Sequence, residues 1–218
     1  MSAAADDPAA GDARLRPADP RGGPVLAPTP SNVNLPNALT LLRILLVPLL
    51  AWLLLVDGAG DVVFRLLAFT VFVVAAVTDR IDGVIARSRG LITDFGKIAD
   101  PIADKLLLGS VLVIFSALGD VPWWVTVLIL GRELGITLLR FWVIRYGVIA
   151  ASPGGKAKTL LQIFALGGYI LPFELWAPSP VAAVFEVVAA VLLYLATAVT
   201  VVTGVDYVRR ALALRRAG

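Results

Sequence analysis

Six long apolar segments divide the sequence, and short connections rich in turn residues separate them. The segments cover about 38–56, 62–87, 97–118, 122–145, 157–173 and 180–203. A helix that crosses the roughly 30 Å hydrocarbon core of a membrane needs about 20 mostly apolar residues. Because a spanning backbone must satisfy its own hydrogen bonds, helices are the expected element. The sequence therefore predicts an all-α, polytopic membrane protein with six transmembrane helices.

The residue types that are missing narrow the possible chemistry. The chain contains no cysteine and no histidine. Disulfides, thiol nucleophiles, imidazole bases and the usual zinc sites are therefore excluded. A metal ion would have to be bound by carboxylates, which favours hard cations such as Mg²⁺ or Mn²⁺.

Lysine and arginine lie in alternate connections, which predicts the orientation of the helices. The connections at 57–61, 119–120 and 172–180 contain neither residue, whereas the connections on the opposite side and both terminal regions contain several. We therefore expect both termini to be cytoplasmic in a multi-pass protein of the cell membrane. Arg65, near the outer end of the second segment, is the exception, and we interpret it as reaching the membrane interface.

The net charge of +3 comes from basic residues that flank the apolar segments. This distribution favours an anionic lipid surface as the partner and argues against nucleic acid. Residues 1–30 are rich in Ala, Pro, Gly and Asp and are predicted to be a disordered tail. Residues 31–206 form the predicted membrane domain, and the basic residues of 207–218 are expected to contact anionic lipid.

Four aspartates lie at the facing ends of the second and third segments. Asp79 and Asp82 are three residues apart, and Asp100 and Asp104 are four apart, so each pair shares one helical face. The short connection makes the two helices antiparallel neighbours, and the two faces can converge. Four carboxylates would repel one another unless cations neutralised them. Two divalent ions in such a site would bind phosphates.

The residues between these aspartates fit a phosphate site. Gly83 and Gly96 allow a ligand or a helix to approach the backbone closely, and Ala86 keeps the face of Asp82 open. Arg87 offers a forked donor to a phosphate. The alternative is that the aspartates are interfacial charges paired with nearby basic residues. These are Arg80, Arg87, Lys97 and Lys105. Like charges at helical spacing would, however, destabilise the helices without a counter-ion.

The full pattern is Asp-x2-Asp-Gly-x2-Ala-Arg-x8-Gly-x3-Asp-x3-Asp, from Asp79 to Asp104. It resembles the signature of the CDP-alcohol phosphatidyltransferases. Three further segments resemble the phosphatidylglycerophosphate synthases of that family: NLPNALTLLR at 34–43, GRELGITLLR at 131–140 and GKAKT at 155–159. The resemblance implies a reaction of CDP-diacylglycerol with sn-glycerol 3-phosphate, which gives phosphatidylglycerol phosphate and CMP. It also implies a homodimer.

The resemblance implies roles for individual residues. Asp79, Asp82 and Asp100 would bind two Mg²⁺ or Mn²⁺ ions, and Asp104 would share one ion and act as the general base. The CDP site would be formed by Asp79, Gly83, Ala86 and Arg87. Asn37 and Arg43 would lie near the nucleotide or the lipid phosphate, although capping also explains Asn37.

Four basic residues are candidates for binding the phosphate of the acceptor. Arg132 and Arg140 lie eight residues apart on the fourth segment, and Lys156 and Lys158 precede the apolar part of the fifth. A phosphate dianion requires such a basic pocket near the metals. The alternative is that Arg132 pairs with Glu133 and that the lysines are ordinary positive-inside anchors.

Other functions remain open at this point. The aspartates do not distinguish glycerol phosphate from other acceptors of the family, namely inositol phosphate, serine, or phosphatidylglycerol in the synthesis of cardiolipin. A divalent-metal transporter could use the same carboxylates, but transport sites usually lie near the membrane midplane between internal repeats. A purely structural scaffold would not explain the four aspartates.

Overall fold

The computed structural model describes residues 34–56, 58–89, 93–143, 153–176 and 179–217. Its helices are α1 (Leu35–Leu55), α2 (Val62–Arg89), α3 (Asp94–Leu118), α4 (Trp123–Val143), α5 (Pro153–Ile170), α6 (Phe173–Trp176) and α7 (Ser179–Ala217). These ranges contain no strand, so the prediction of an all-α chain with six long helices is confirmed for them. The predicted tail at 1–30 lies outside the described residues.

Four of the described helices are long and apolar enough to cross a membrane. The spans are Leu35–Leu55, Val62–Ile85, Ala99–Leu118 and Pro180–Ala213. Helices α4 and α5 occupy the places of the fourth and fifth predicted segments. Neither helix is among these four spans. Helix α4 carries the charged residues Arg132, Glu133 and Arg140, and the 18 residues of α5 include two lysines.

Capping residues determine where α1 and α3 begin. The side chain of Asn34 accepts a hydrogen bond of 2.9 Å from the backbone N–H of Asn37. Pro36 occupies the first turn of α1, where its missing N–H is not needed. Thr93 plays the same capping part for α3 by accepting from the N–H of Gly96 at 3.1 Å. Both starts lie at the same end of the bundle as the aspartates.

The core of the bundle lies between α1, α2, α3 and α5. Its largest buried apolar side chains include Leu50 and Leu54 of α1, Phe72 of α2, Phe115 of α3 and Leu166 of α5. Helix α1 packs extensively against α2 and α3, while α7 packs against α5 and α4. The first three helices are therefore held as one group, with α5 connecting them to α7.

Arg65 contacts the end of α5, and this contact was not predicted from the sequence. Its side chain is only 6% exposed, and its guanidinium donates to the carbonyl oxygens of Tyr169 at 2.5 Å, Ile170 at 3.0 Å and Leu171 at 3.2 Å. It also pairs with Glu174. The last carbonyls of a helix have no partner within the helix. Arg65 satisfies them at the end of α5, and this explains a buried arginine in an apolar segment.

Two features of the last third of the chain differ from the predicted boundaries. The short helix α6 lies within the connection predicted at 172–180, where Pro172 precedes its first residue. Helix α7 continues to Ala217, beyond the predicted end at 203. The residues after 203 are mainly Ala, Leu and Arg, which are strong helix formers. The basic end of the chain is therefore continuous with the last helix through Ala217.

Candidate active site

Arg43 of α1 lies between the two aspartates of α2. Its guanidinium is 2.7 Å from the carboxylate of Asp79 and donates a hydrogen bond to Asp82. The side chain of Arg43 is fully buried, and Asp82 is 4% exposed. Asp79 keeps about a third of its side chain exposed. Burial of a single charge is unfavourable, so the guanidinium and the two carboxylates stabilise one another. Both carboxylates thus have Arg43 as a partner, a residue that the interfacial alternative did not include.

Thr40 connects α1 to the first aspartate of α3. Its hydroxyl lies 2.5 Å from a carboxylate oxygen of Asp100 and 3.1 Å from the carbonyl oxygen of Pro36. Thr40 is buried. Because Thr40 and Arg43 are three residues apart on one helical face, α1 places a hydroxyl on α3 and a guanidinium on α2. The aspartates of α2 and α3 are thus connected through α1.

A second hydrogen-bonded contact joins the starts of α1 and α3. The amide nitrogen of Asn37 donates to the hydroxyl oxygen of Thr93 at 2.9 Å, and that hydroxyl is 3.0 Å from the Asn37 amide oxygen. A Cβ atom at Gly96 would lie 3.0 Å from the same amide oxygen and 3.7 Å from Asp100. Glycine is therefore required here by a close approach of two helices, as its place in the pattern suggested.

Asp104 lies at a cavity between α3, α4 and α5, and its carboxylate also interacts electrostatically with Asp79 of α2. The cavity has a volume of about 480 Å³. Polar side chains at its wall include Asp104, Lys158, Glu133 and Gln162, and much of the remaining wall is apolar. Lys158 is 6% exposed and pairs with Glu133. A carboxylate, a buried ammonium group and a neutral amide therefore share one cavity.

Arg132 is held against α7. It lies 3.0 Å from the carboxylate of Glu133 and donates to the hydroxyl of Thr203 at 3.0 Å. A Cβ atom at Gly204 would come within 3.1 Å of its side chain. Arg132 is not one of the described residues that line the cavity of Asp104 and Lys158. Glu133 connects it to Lys158, so the pairing of Arg132 with Glu133 that the alternative interpretation predicted is present.

Several predicted site residues have side chains outside the described part of the chain. Ala86 and Arg87 lie on α2, Arg140 on α4 and Lys156 on α5, and only their helical backbone is described. Gly83 is partly buried on α2, one residue after Asp82. The structure therefore places the predicted aspartates, Asn37 and two of the four predicted basic residues, Arg132 and Lys158.

Three polar contacts of the site were not predicted from the sequence. They join Asn37 to Thr93, Thr40 to Asp100, and Arg43 to Asp79 and Asp82. Asn37, Thr40 and Arg43 recur at three-residue spacing in an otherwise apolar helix, and this pattern indicates a polar face turned to the interior. Thr93 precedes α3 as a typical capping residue. A single glutamine such as Gln162 has no comparable signal in the sequence.

The four aspartates fit a hard divalent cation by their chemistry, because they offer only carboxylate oxygens. The buried guanidinium of Arg43 already supplies positive charge between Asp79 and Asp82. Within the described ranges, however, no group of three or more acidic side chains is arranged to hold a metal ion. The physical reason is local: Arg43 binds two of the aspartates and Thr40 binds a third.

Comparison with known proteins identifies the family of the chain. Residues 33–202 match the CDP-alcohol phosphatidyltransferase family. The chain is 53% identical over 179 residues to a probable phosphatidylglycerophosphate synthase of Mycobacterium tuberculosis, covering 82% of each protein. It is 38% identical over 187 residues to the CDP-diacylglycerol–glycerol-3-phosphate 3-phosphatidyltransferase of Bacillus subtilis, covering 80% of the chain and 93% of the relative.

A protein of the same name from Rickettsia bellii is 37% identical over 175 residues, with 80% of the chain and 93% of the relative covered. The family match at 33–202 contains all four aspartates, and it covers α1 to α6 and most of α7. The chain therefore belongs to the CDP-alcohol phosphatidyltransferase family.

Proposed function

We propose that the protein transfers the phosphatidyl group of CDP-diacylglycerol to sn-glycerol 3-phosphate, giving phosphatidylglycerol phosphate and CMP. The choice of acceptor is supported by the relatives, whose names specify this reaction at 37% to 53% identity. The structural observation that carries the proposal is that Asp104 and Lys158 line one cavity. A carboxylate that can accept a proton and a cation that can bind phosphate are both required for this acceptor.

The aspartates are proposed to hold two ions of Mg²⁺ or Mn²⁺. Asp79, Asp82 and Asp100 would be ligands, with Asp104 sharing one ion. When bound, these ions neutralise negative charge on the diphosphate of CDP-diacylglycerol. Arg43 would have to release at least one of its two carboxylates for them to bind. Its guanidinium would then be close enough to contact a substrate phosphate.

The nucleotide and the acceptor are proposed to bind next to each other, at the face of α3 that carries Asp100 and Asp104. The CDP group would contact Asp79, Gly83, Ala86 and Arg87 on α2 and Asn37 on α1. Asp104 would take the proton of the attacking glycerol hydroxyl, so that its oxygen can form the new bond to phosphorus as CMP leaves. The acceptor phosphate would be bound by basic residues on α4 and α5. These are Arg132, Arg140, Lys156 and Lys158.

The membrane arrangement completes the proposal. The six long helices would all cross the cell membrane, with both termini and the active site facing the cytoplasm. The alternation of basic connections supports this orientation. A homodimer is proposed from the family alone. The long apolar helices would also give the acyl chains of CDP-diacylglycerol direct access from the lipid.

The proposed reaction can be tested by CMP release from CDP-diacylglycerol. The full-length protein in detergent would be supplied with Mg²⁺ or Mn²⁺ and with one candidate acceptor at a time. We expect turnover with sn-glycerol 3-phosphate and little with inositol phosphate, serine or phosphatidylglycerol. Turnover with one of these acceptors but none with glycerol 3-phosphate would refute the proposed acceptor. Manganese uptake into vesicles without any CMP release would instead favour a transporter.

A further inference from the structure

Gln162 is a buried polar residue whose amide nitrogen lacks a partner. Its side chain is only 2% exposed. Its Nε2 atom donates no hydrogen bond to any residue that the structure describes. A buried donor without an acceptor is destabilising, and most native proteins avoid it. Such a group in a folded enzyme therefore calls for a ligand or a bound water as its partner.

The position of Gln162 points to the cavity of the proposed acceptor. Gln162 lies one helical turn after Lys158 on α5, so both side chains share one face of the helix. Both line the cavity of about 480 Å³ that Asp104 also lines. Any molecule that reaches both Asp104 and Lys158 in this cavity must pass close to Gln162.

The other neutral polar residues of the cavity are satisfied within their own helices. The hydroxyl of Ser110 donates to the carbonyl oxygen of Leu107 at 3.0 Å. The hydroxyl of Thr159 donates to the carbonyl oxygen of Gly155 at 3.2 Å. Buried threonines elsewhere behave in the same way, as Thr197 does with Leu193 at 2.8 Å. Gln162 differs from all of them, so helix packing alone does not explain its amide.

The chemistry of the amide indicates which part of an acceptor it would contact. A neutral amide is a weaker partner for a phosphate dianion than an ammonium or guanidinium group. It is well suited to a hydroxyl group, because both can donate and accept. In glycerol 3-phosphate, the attacking hydroxyl must lie at Asp104 and the phosphate at the basic residues. The central hydroxyl remains for a neutral partner.

On the basis of the proposed function, we propose that Gln162 is a specificity-determining residue whose amide binds the central hydroxyl of the glycerol phosphate acceptor. Its Nε2–H group donates to the hydroxyl oxygen. This contact distinguishes glycerol 3-phosphate from acceptors of the same charge and length that lack the hydroxyl. Gln162 thereby adds a neutral contact to the charged contacts of Lys158.

The test compares two acceptors that differ only in this hydroxyl. The purified full-length protein would be assayed for CMP release with sn-glycerol 3-phosphate and with 3-hydroxypropyl phosphate, and kcat/KM would be determined for each. We expect the unmodified protein to prefer glycerol 3-phosphate by roughly tenfold, the usual effect of one lost hydrogen bond. In Gln162→Met, kcat/KM for glycerol 3-phosphate should fall until this preference is lost.

The value for 3-hydroxypropyl phosphate should change little in Gln162→Met, and this separates a lost contact from a general loss of activity. Thr197→Val is the matched control, since it removes a buried hydroxyl from α7 outside the cavity. It should retain the preference of the unmodified protein. If Gln162→Met does not fold, Gln162→Leu removes the same amide with a side chain of similar size, and the same loss is expected.

The outcomes distinguish this inference from the proposed function. If Gln162→Met, or Gln162→Leu in its place, keeps the full preference for glycerol 3-phosphate, the inference is wrong and the proposed function stands. An unmodified protein that does not discriminate between the two acceptors also refutes the inference. An unmodified protein without turnover on glycerol 3-phosphate refutes both.

Discussion

Arg43 on α1 binds Asp82 on α2 across 39 positions of the sequence, and both side chains are buried. The same guanidinium reaches Asp79, one helical turn earlier. Two charged groups are thus withdrawn from solvent at one contact between two apolar helices, and Asp79 is partly withdrawn. Because burial of each charge is favourable only beside the opposite charge, this contact determines how α1 packs against α2.

The first prediction concerns the loss of this guanidinium. Arg43→Gln should destabilise the protein by about 3–5 kcal/mol, since it leaves the buried Asp82 without its cation. Thermal unfolding in detergent would measure the change. Arg210→Gln is the control, because Arg210 pairs with Asp206 at an exposed position of α7. Exposed pairs contribute only about 0–1 kcal/mol. Equal unfolding temperatures for the two variants would show that the Arg43 contact is not important for stability.

The second prediction concerns the aspartates of α3. Asp104→Asn and Asp100→Asn should each reduce CMP release at least about a hundredfold, because the amide can neither accept the proton nor provide the charge. Both variants should remain folded in detergent, since the side chains keep their size. Asp206→Asn on α7 should retain normal activity. Near-normal turnover of either α3 variant would contradict the roles that we propose.

The third prediction concerns the close approach at Gly96. Gly96→Ala places a Cβ atom 3.0 Å from the Asn37 amide oxygen and 3.3 Å from the Thr93 hydroxyl. Crowding of this kind typically destabilises a protein by about 1–3 kcal/mol. Gly135→Ala is the matched control, because nothing lies within 4 Å of its added Cβ. It should be neutral or slightly stabilising. A Gly96→Ala variant as stable as this control would disprove the tight α1–α3 contact.

The fourth prediction compares two neighbouring glycines of α5. A Cβ atom at Gly168 would lie 2.8 Å from the Cβ atom of Ala189 on α7, whereas one at Gly167 would lie 3.4 Å from the Phe69 ring. Gly168→Ala should therefore lower the unfolding temperature markedly, since real Cβ atoms do not approach so closely. Gly167→Ala should have a small effect. The reverse order would indicate a different packing of α5 against α7.

The sequence predicted those features of the fold that depend on short-range patterns. The apolar lengths of 62–87 and 97–118 determine α2 and α3 almost to the residue, because membrane thickness sets the length of a spanning helix. The boundaries of α5 were less accurate: the predicted segment begins at 157, but the helix begins at Pro153. Proline is favoured in the first turn of a helix, and the apolar count does not include that preference.

The parts of the site that the sequence did not predict depend on long-range contacts. The partners of Asp79, Asp82 and Asp100 lie on α1, and spacing within α2 and α3 contains no information about a third helix. The two buried residues Arg43 and Thr40 become evident as partners only when α1 is packed against both. Gln162 was missed for a related reason, since a lack of hydrogen-bond partners is a property of three-dimensional packing.

The three carbonyl bonds of Arg65 restrict how α5 can move. Sliding of α5 along its axis would break the bonds to Tyr169, Ile170 and Leu171 at one end of the helix. Lys158 lies nearer the other end and Gln162 near the middle of α5, so the height of both relative to Asp104 is determined by a contact two to three helical turns away. A substitution of Arg65 would therefore change the affinity for the proposed acceptor, although Arg65 does not line the cavity of Asp104 and Lys158.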